Sequence, residues 1–203
     1  MTKRQIGRAL ELAPHIIAAD GGLGHVFRAG LEPELVIGDF DSASGRDLAR
    51  VLPEKLRKCT DQDSTDFEKC LSRIAAPFAV ALGMFGSRLD HGLAALNALV
   101  AHQTYPVLAL SGKDVVFRCP PELRLNLPVA TRLSLFPLAP VRGRSAGLSW
   151  PIDGMDFSPV GRIGTSNRTC ERTVRLWLDG PSMLAILPAR HLPEAVRAVR
   201  ATI

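Results

Sequence analysis

Aromatic side chains are scarce in this 203-residue chain: eight Phe, two Trp and one Tyr, 5% in all. Its arginines are scattered from Arg28, Arg46, Arg50 and Arg57 through Arg73 and Arg88 to Arg118, Arg124 and Arg132, with no basic run. A nucleic-acid surface combines a basic patch with, often, aromatic platforms for bases, so no nucleic-acid partner is expected. The formal net charge of +5 suits small anionic ligands better. Cysteine is also sparse. Cys59, Cys70, Cys119 and Cys170 form no C-x-x-C pair and no metal knuckle, which points to reduced thiols and a cytoplasmic setting. Apolar runs are short. The stretch from Phe78 to Gly86 is far below the ~20 residues that span a bilayer. The opening segment is interrupted by Lys3, Arg4, Arg8 and Glu11 and has no apolar core of a secretion signal. No membrane partner is expected. The remainder, 46% hydrophobic and 22% charged, is the composition of a globular protein with one large or two small domains.

One stretch organises the rest: Leu35-Val36-Ile37-Gly38-Asp39-Phe40-Asp41-Ser42. Three apolar residues read as a buried strand, after which the chain turns at Gly38 and presents two acids. In an extended segment side chains alternate, so Asp39 and Asp41 leave on one face, about 7 Å apart at Cα, and can converge on one cation. Mg²⁺ prefers hard oxygen donors and fills its shell with phosphate and water, and the carboxyl end of a parallel strand is where such ligands bind. The same two acids also serve as caps of a polar turn, and spacing alone leaves both roles open.

The flanking segments alternate. Residues 2–12 read as an amphipathic helix, and His15 to Asp20 as a strand ending in Asp20-Gly21-Gly22, a turn that allows close backbone approach. Leu23 to Ala29 and residues 44–52 read as helices. Thr65 and Glu68 form a capping box that starts a helix running to about Ala76, and Asp61 and Asp63 crowd beside it as if a cation sat among them. Further strands are expected at Phe78–Gly83, Tyr105–Leu110 and Val115–Phe117, with a Gly-containing turn from Gly83 to His91 and a helix running to His102 whose face is marked by Leu89, Leu93, Leu96 and Val100. The expected fold is therefore α/β: a doubly wound, mostly parallel sheet with helices on both faces over residues 1–118, a linker at 119–128 opened by Cys119-Pro120-Pro121, and a small antiparallel β-sandwich over 129–203. Within the latter, Asp179-Gly180 reads as a hairpin turn between two strands, and residues 191–202 as a closing helix.

Six blocks in order resemble the thiamine pyrophosphokinase family: Asp20-Gly21-Gly22; Gly38-Asp39-Phe40-Asp41-Ser42; Asp61 to Lys69; Arg88-Leu89-Asp90-His91; Gly147-Leu148-Ser149-Trp150-Pro151; and Thr165-Ser166-Asn167. The resemblance covers about Ile16 to Leu187. It implies a homodimer in which an N-terminal domain binds ATP and Mg²⁺ and a C-terminal β-sandwich helps bind thiamine across the subunit interface. The implied reaction moves the terminal two phosphates of ATP as one unit onto the hydroxyethyl oxygen of thiamine, leaving AMP. By the same resemblance Asp39, Asp41 and Asp66 would hold the metal, and Asp41, Asp66, Arg88 and Asp90 would carry the chemistry. Asp20, Gly21, Gly22, Thr65, Arg88 and His91 would meet ATP, and Gln62, Trp150, Ser166 and Asn167 would meet thiamine. Thr65 and His91 are equally explained as helix-start residues, and Trp150 as a core aromatic.

Two departures stand out. Ser87 follows Gly86 where the family commonly has a Gly-Gly pair, and no strand precedes the helix at 2–12, so a natural start some 15–20 residues upstream is expected from ordinary strand and loop lengths. Two other readings remain: a phosphotransferase of the same fold with another acceptor alcohol, since fold does not fix substrate, and a non-enzymatic thiamine- or nucleotide-binding module.

Overall fold

The structure, a computed structural model, describes residues 2–86 and 88–202; the departure at Ser87 lies outside them. The chain forms two compact units, residues 2–75 and residues 76–202.

The first unit begins with α1 (Lys3–Leu10), started by a capping box in which Thr2 and Gln5 bond each other's backbone. A three-stranded parallel sheet follows, in the order β1 (Ile17–Ala19), β2 (Leu35–Gly38), β3 (Leu56–Lys58). Ala18 sits opposite Val36, and Ile37 opposite Arg57. The crossovers are α2 (Leu23–Arg28) and α3 (Gly45–Leu48), and α4 (Asp66–Leu71) packs on β1 and β2. Ala18, Leu23, Val36 and Val51 are buried together, with Val26, Phe27, Phe40, Leu48 and Leu56 packed around them. β3 escapes sequence reading because two of its three residues are exposed and basic; it is an edge strand held by backbone pairing.

The second unit holds two sheets. One has five strands in the order β4 (Ala79–Leu82), β5 (Val107–Leu110), β6 (Asp114–Arg118), β12 (Met183–Pro188), β8 (Ser134–Pro137). The other has four, in the order β10 (Asp156–Phe157), β9 (Val141–Ala146), β11 (Thr173–Leu178), β7 (Glu122–Asn126). In the four-stranded sheet β7 alternates exposed and buried residues, the pattern of a sheet with one covered face. Residues 183–185 and Leu187 of β12 are fully buried. Helix α5 (Leu89–Ala101) joins β4 to β5, and α6 (Leu192–Arg200) packs on β7.

The expected mixed α/β architecture with antiparallel structure toward the C-terminus is present, with three differences in layout. First, the parallel strands are divided between sheets: β4 and β5 pair in parallel, but β6 turns back antiparallel on β5 through a tight turn where Ser111 N–H donates to Asp114 O at 2.8 Å. Second, residues 119–128 contain β7 and so carry a ladder to β11. Third, Asp179-Gly180 is no hairpin. β11 and β12 belong to different sheets, and Asp179 is claimed by β9: its N–H donates to Arg142 O at 3.1 Å and its Oδ1 accepts from Arg142 N–H at 2.7 Å. On α5, Ala95, Ala98 and Leu99 form the buried side, whereas Leu89 and Leu93 are exposed.

Candidate active site

The first unit gathers three carboxylates at the ends of β1 and β2 and the start of α4. Asp20, Asp39 and Asp66 each bring a carboxylate oxygen within 4.8 Å of the others. Asp20 follows β1 and is 0% exposed; its Oδ2 accepts from the Phe40 N–H at 3.1 Å, and its Oδ1 is buried with no partner in hydrogen-bonding geometry. A buried carboxylate oxygen left unpaired is costly, and Asp20 sits beside two other acids. Two non-glycine residues just after these strands, Asp20 (φ 35°) after β1 and Phe40 (φ 69°) after β2, lie in the left-handed region, which costs on the order of 1–3 kcal/mol each and is typical of functional turns.

Gly38 lets these pieces meet. A Cβ there would lie 2.7 Å from the Asp20 Cβ. Gly38→Ala is therefore expected to destabilise the protein by about 1–3 kcal/mol, as overpacking does, and to push Asp20 out of line with Asp39. Thermal melts with and without a divalent ion check both effects: Tm falls, and its rise on adding metal shrinks.

Lys69 is what the sequence reading missed. It lies one turn into α4, is only 3% exposed, and its Nζ donates to Asp39 Oδ2 at 2.9 Å and to Asp66 Oδ1 at 3.1 Å. Lys69 draws the Asp39 carboxyl down to about 2, and its own ammonium is held charged above the usual lysine range, first by Asp39. Burial, then the Asp66 charge, pushes Asp20 the other way, above its ordinary value. The only visible signal for Lys69 was its i+3 spacing from Asp66, which on an exposed helix is an ordinary ion pair.

Several expected site residues fall elsewhere. The alternation that put Asp39 and Asp41 on one face fails because the left-handed Phe40 ends the extended run. Asp41 is exposed and outside the trio; its N–H donates to Asp39 Oδ1 at 3.3 Å and its Oδ1 accepts from the Ser42 hydroxyl at 2.9 Å. Asp61 accepts from the Ser64 hydroxyl and from Asp63 N–H at 3.0 Å, which makes it a turn former. Thr65 caps α4 reciprocally with Glu68. Gln62 is exposed and donates to Thr60 O at 3.3 Å. Gly21 and Gly22 form a 3-10 turn with Asp20; a Cβ on Gly21 would touch Ser42 at 3.3 Å, and one on Gly22 would meet nothing.

In the second unit, Arg88 precedes α5 and forks onto Asp90, Nε to Oδ1 at 3.2 Å and Nη2 to Oδ2 at 2.5 Å. The guanidinium holds Asp90 down at about 2. Both are exposed, as is His91 in the first helical turn. Trp150 is 54% exposed, not a core aromatic, and the Arg168 guanidinium lies 5.2 Å from its ring centroid. Asn167 is buried beneath it: Oδ1 accepts from Trp150 N–H at 3.2 Å and Arg168 N–H at 2.8 Å, and Nδ2 donates to Trp150 O at 2.7 Å. Asn167 thus fastens the Trp150 segment. Ser166 is exposed, in a left-handed turn (φ 64°) with its N–H on Ser134 Oγ at 3.0 Å. Gly147, which leads into the Trp150 segment, has φ 80° and its Cβ position lies 2.4 Å from Thr173 O, so no other residue fits that crossing.

A family model described as "Thiamin pyrophosphokinase, catalytic domain" matches residues 6–109, just over half of the chain and every acid of the trio. The chain belongs to the thiamin pyrophosphokinase family. Two relatives extend the match beyond that segment. Thiamine pyrophosphokinase 1 of Oryza sativa subsp. japonica is 26% identical over 197 residues, covering 80% of this chain and 75% of the relative. Thiamine pyrophosphokinase 1 of Arabidopsis thaliana is 23% identical over 205 residues, covering 84% and 76%. Among solved structures, the yeast thiamin pyrophosphokinase superposes with a TM-score of 0.76 at 18% identity, over 98% of this chain and 84% of that one. The Candida albicans thiamin pyrophosphokinase gives 0.75 at 16%, over 88% and 82%. At these identities the structural likeness speaks for the family's fold.

Proposed function

We infer that this chain transfers the terminal pyrophosphoryl group of ATP to the hydroxyethyl oxygen of thiamine. The observation that carries this reading is the convergent acid trio of Asp20, Asp39 and Asp66 in the segment matched by the family model. The donor set fits a hard divalent cation, Mg²⁺ in the cell: three carboxylates converge, and one of them, Asp20, has a buried Oδ1 without a hydrogen-bond partner. When bound, such an ion neutralises phosphate charge and polarises the bond to be broken. Asp41, exposed and bonded through its N–H to Asp39 Oδ1, would be a further acid for the ion.

The thiamine hydroxyl oxygen bonds to the β-phosphorus, the bond from that phosphorus to the oxygen bridging to the α-phosphate breaks, the hydroxyl proton leaves, and AMP departs. Such a transfer asks the protein chiefly for positioning and charge. Lys69 keeps Asp39 and Asp66 together despite their mutual repulsion. Arg88, with its planar fork, is proposed to exchange Asp90 for phosphate oxygens, with His91 beside it as a further donor and Asp90 orienting the guanidinium. Asp20, Gly21, Gly22 and Thr65 border the nucleotide, and Gln62 and Ser166 supply polar contacts to thiamine. Trp150 stacks on the thiamine cation; its exposed ring already attracts a planar cation, the Arg168 guanidinium. Asn167 acts by holding that ring in place. A homodimer is proposed, with Val129, Val160 and Ile163 as apolar side chains exposed in the second unit. A reducing, cytoplasmic setting agrees with four free thiols, of which Cys59, Cys70 and Cys119 are buried. Among the described residues no helix is long and apolar enough to cross a membrane.

The rival acceptor reading is tested by offering thiamine beside other primary alcohols at equal concentration with ATP and Mg²⁺. Thiamine should be consumed far faster than any of them; preference for another alcohol would replace the acceptor and keep the acid centre. Trp150→Ala is expected to raise KM for thiamine about tenfold, the worth of a ring contact plus a cation–π contact, and to leave KM for ATP unchanged. Steady-state kinetics in each substrate separate the two.

A further inference from the structure

The trio contains a cation of its own. Lys69 Nζ lies between Asp39 and Asp66, 2.9 and 3.1 Å from one oxygen of each, and its side chain is 4% exposed. Paired metal ions at phosphoryl-transfer sites sit about 3.5–4 Å apart; an ammonium bonded to both Asp39 and Asp66 would take one such cation place with a single charge and fixed donors.

We propose that Lys69 permanently occupies one of two cation places in this centre, so that Asp20, Asp39 and Asp66 hold a single divalent ion. The proposal rests on the reading of the trio as the metal-binding half of the site. Three features keep Lys69 in place. The Thr65–Glu68 capping box fixes the start of α4, and the Lys69 N–H closes the first turn on Thr65 O at 2.9 Å. The Lys69 carbonyl accepts from the Ser72 hydroxyl at 3.1 Å and from Arg73 Nη1 at 3.2 Å. Releasing the ammonium would leave Asp39 and Asp66 unneutralised beside Asp20. Within the trio the acid not bonded by Lys69 is Asp20, whose Oδ1 is buried with no hydrogen-bond partner, and one ion would find an unused ligand there.

The test is the number of Mn²⁺ ions bound per chain without nucleotide, counted by electron paramagnetic resonance of the free ion, for wild type and for Lys69→Met. Wild type should bind one. Lys69→Met, with the ammonium gone and its volume kept, should take up a second ion or bind the first at least about tenfold more tightly, as expected for removal of a like charge at this distance. It should also melt lower than wild type in chelator and gain more from Mn²⁺. Two ions or none on wild type overturns the proposal, and so does a Lys69→Met chain indistinguishable from wild type in number and affinity. If Lys69→Met does not fold, Lys69→Arg, which keeps the charge, should still bind one ion, and binding two would overturn the proposal. A wild type that makes thiamine diphosphate yet binds two ions refutes this inference alone. One that binds a single ion but makes no product refutes the functional reading and leaves the inference standing.

Discussion

Asp39→Asn should lower kcat by about a thousandfold, the scale on which a preorganised charge at a phosphoryl-transfer site acts, with the fold retained. The substitution keeps the volume and one oxygen of a group that contacts both Lys69 and the neighbouring acids. It removes a charge from the metal centre and loosens the bridge that Lys69 makes to Asp66. The effect should fall on kcat more than on KM for thiamine, because nothing in the thiamine contacts is altered. Circular dichroism together with steady-state rates checks this; a variant within tenfold of wild type would mean that Asp39 only caps its turn.

The second large effect is expected at Asp20, and in two directions at once. Asp20→Asn keeps an oxygen for the Phe40 N–H but removes the buried charge. Activity and divalent-ion binding should be lost, while the metal-free protein should become more stable. The sign follows from the raised carboxyl of Asp20. A group whose value is higher folded than unfolded contributes stability that is present below its unfolded value, 3.8 here, and is lost as pH rises through the folded value. In chelator, Asp20→Asn should therefore melt above wild type at pH 7, by about 2–4 °C for each kcal/mol relieved in a chain of this size, and the gap should close as pH falls toward 4. Asp39 behaves in the opposite sense. Its carboxyl lies at about 2 because of Lys69, so its contribution is present above 3.8 and is lost as pH falls toward 2, and both variants can be followed in the same pH series.

The parts of this centre differ in how far they can be read from sequence. Asp39 and Asp66 were legible because each follows a strong local signal: an apolar β-branched run ending in glycine for one, a capping box for the other. Asp20 was legible as a strand-end acid, yet its place in the trio depends on the close approach of Gly38, a contact 18 residues away in the chain. Asp41 was misplaced because period-two alternation presumes extended backbone, and a left-handed Phe40 has no sequence mark. Lys69 could not be found, because a lysine three residues after an aspartate reads as solvent-facing until the packing of α4 on β1 and β2 is known. Larger-scale features divide the same way. The run of β12 was readable from its apolar residues, whereas its sheet partners were not, since Asp179-Gly180 has hairpin chemistry and its neighbours are decided by the bonds Asp179 makes to Arg142. Asn167 was placed in the site by resemblance, and its role as the fastener of Trp150 came only from its hydrogen bonds.

The central claim is that the acid trio serves pyrophosphoryl transfer to thiamine. The most direct measurement is the identity of the nucleotide formed when the protein is incubated with ATP, Mg²⁺ and thiamine. The expected result is AMP, formed only when thiamine is present and in equal amount with thiamine diphosphate. Formation of ADP with thiamine monophosphate, or nucleotide turnover indifferent to thiamine, would contradict it.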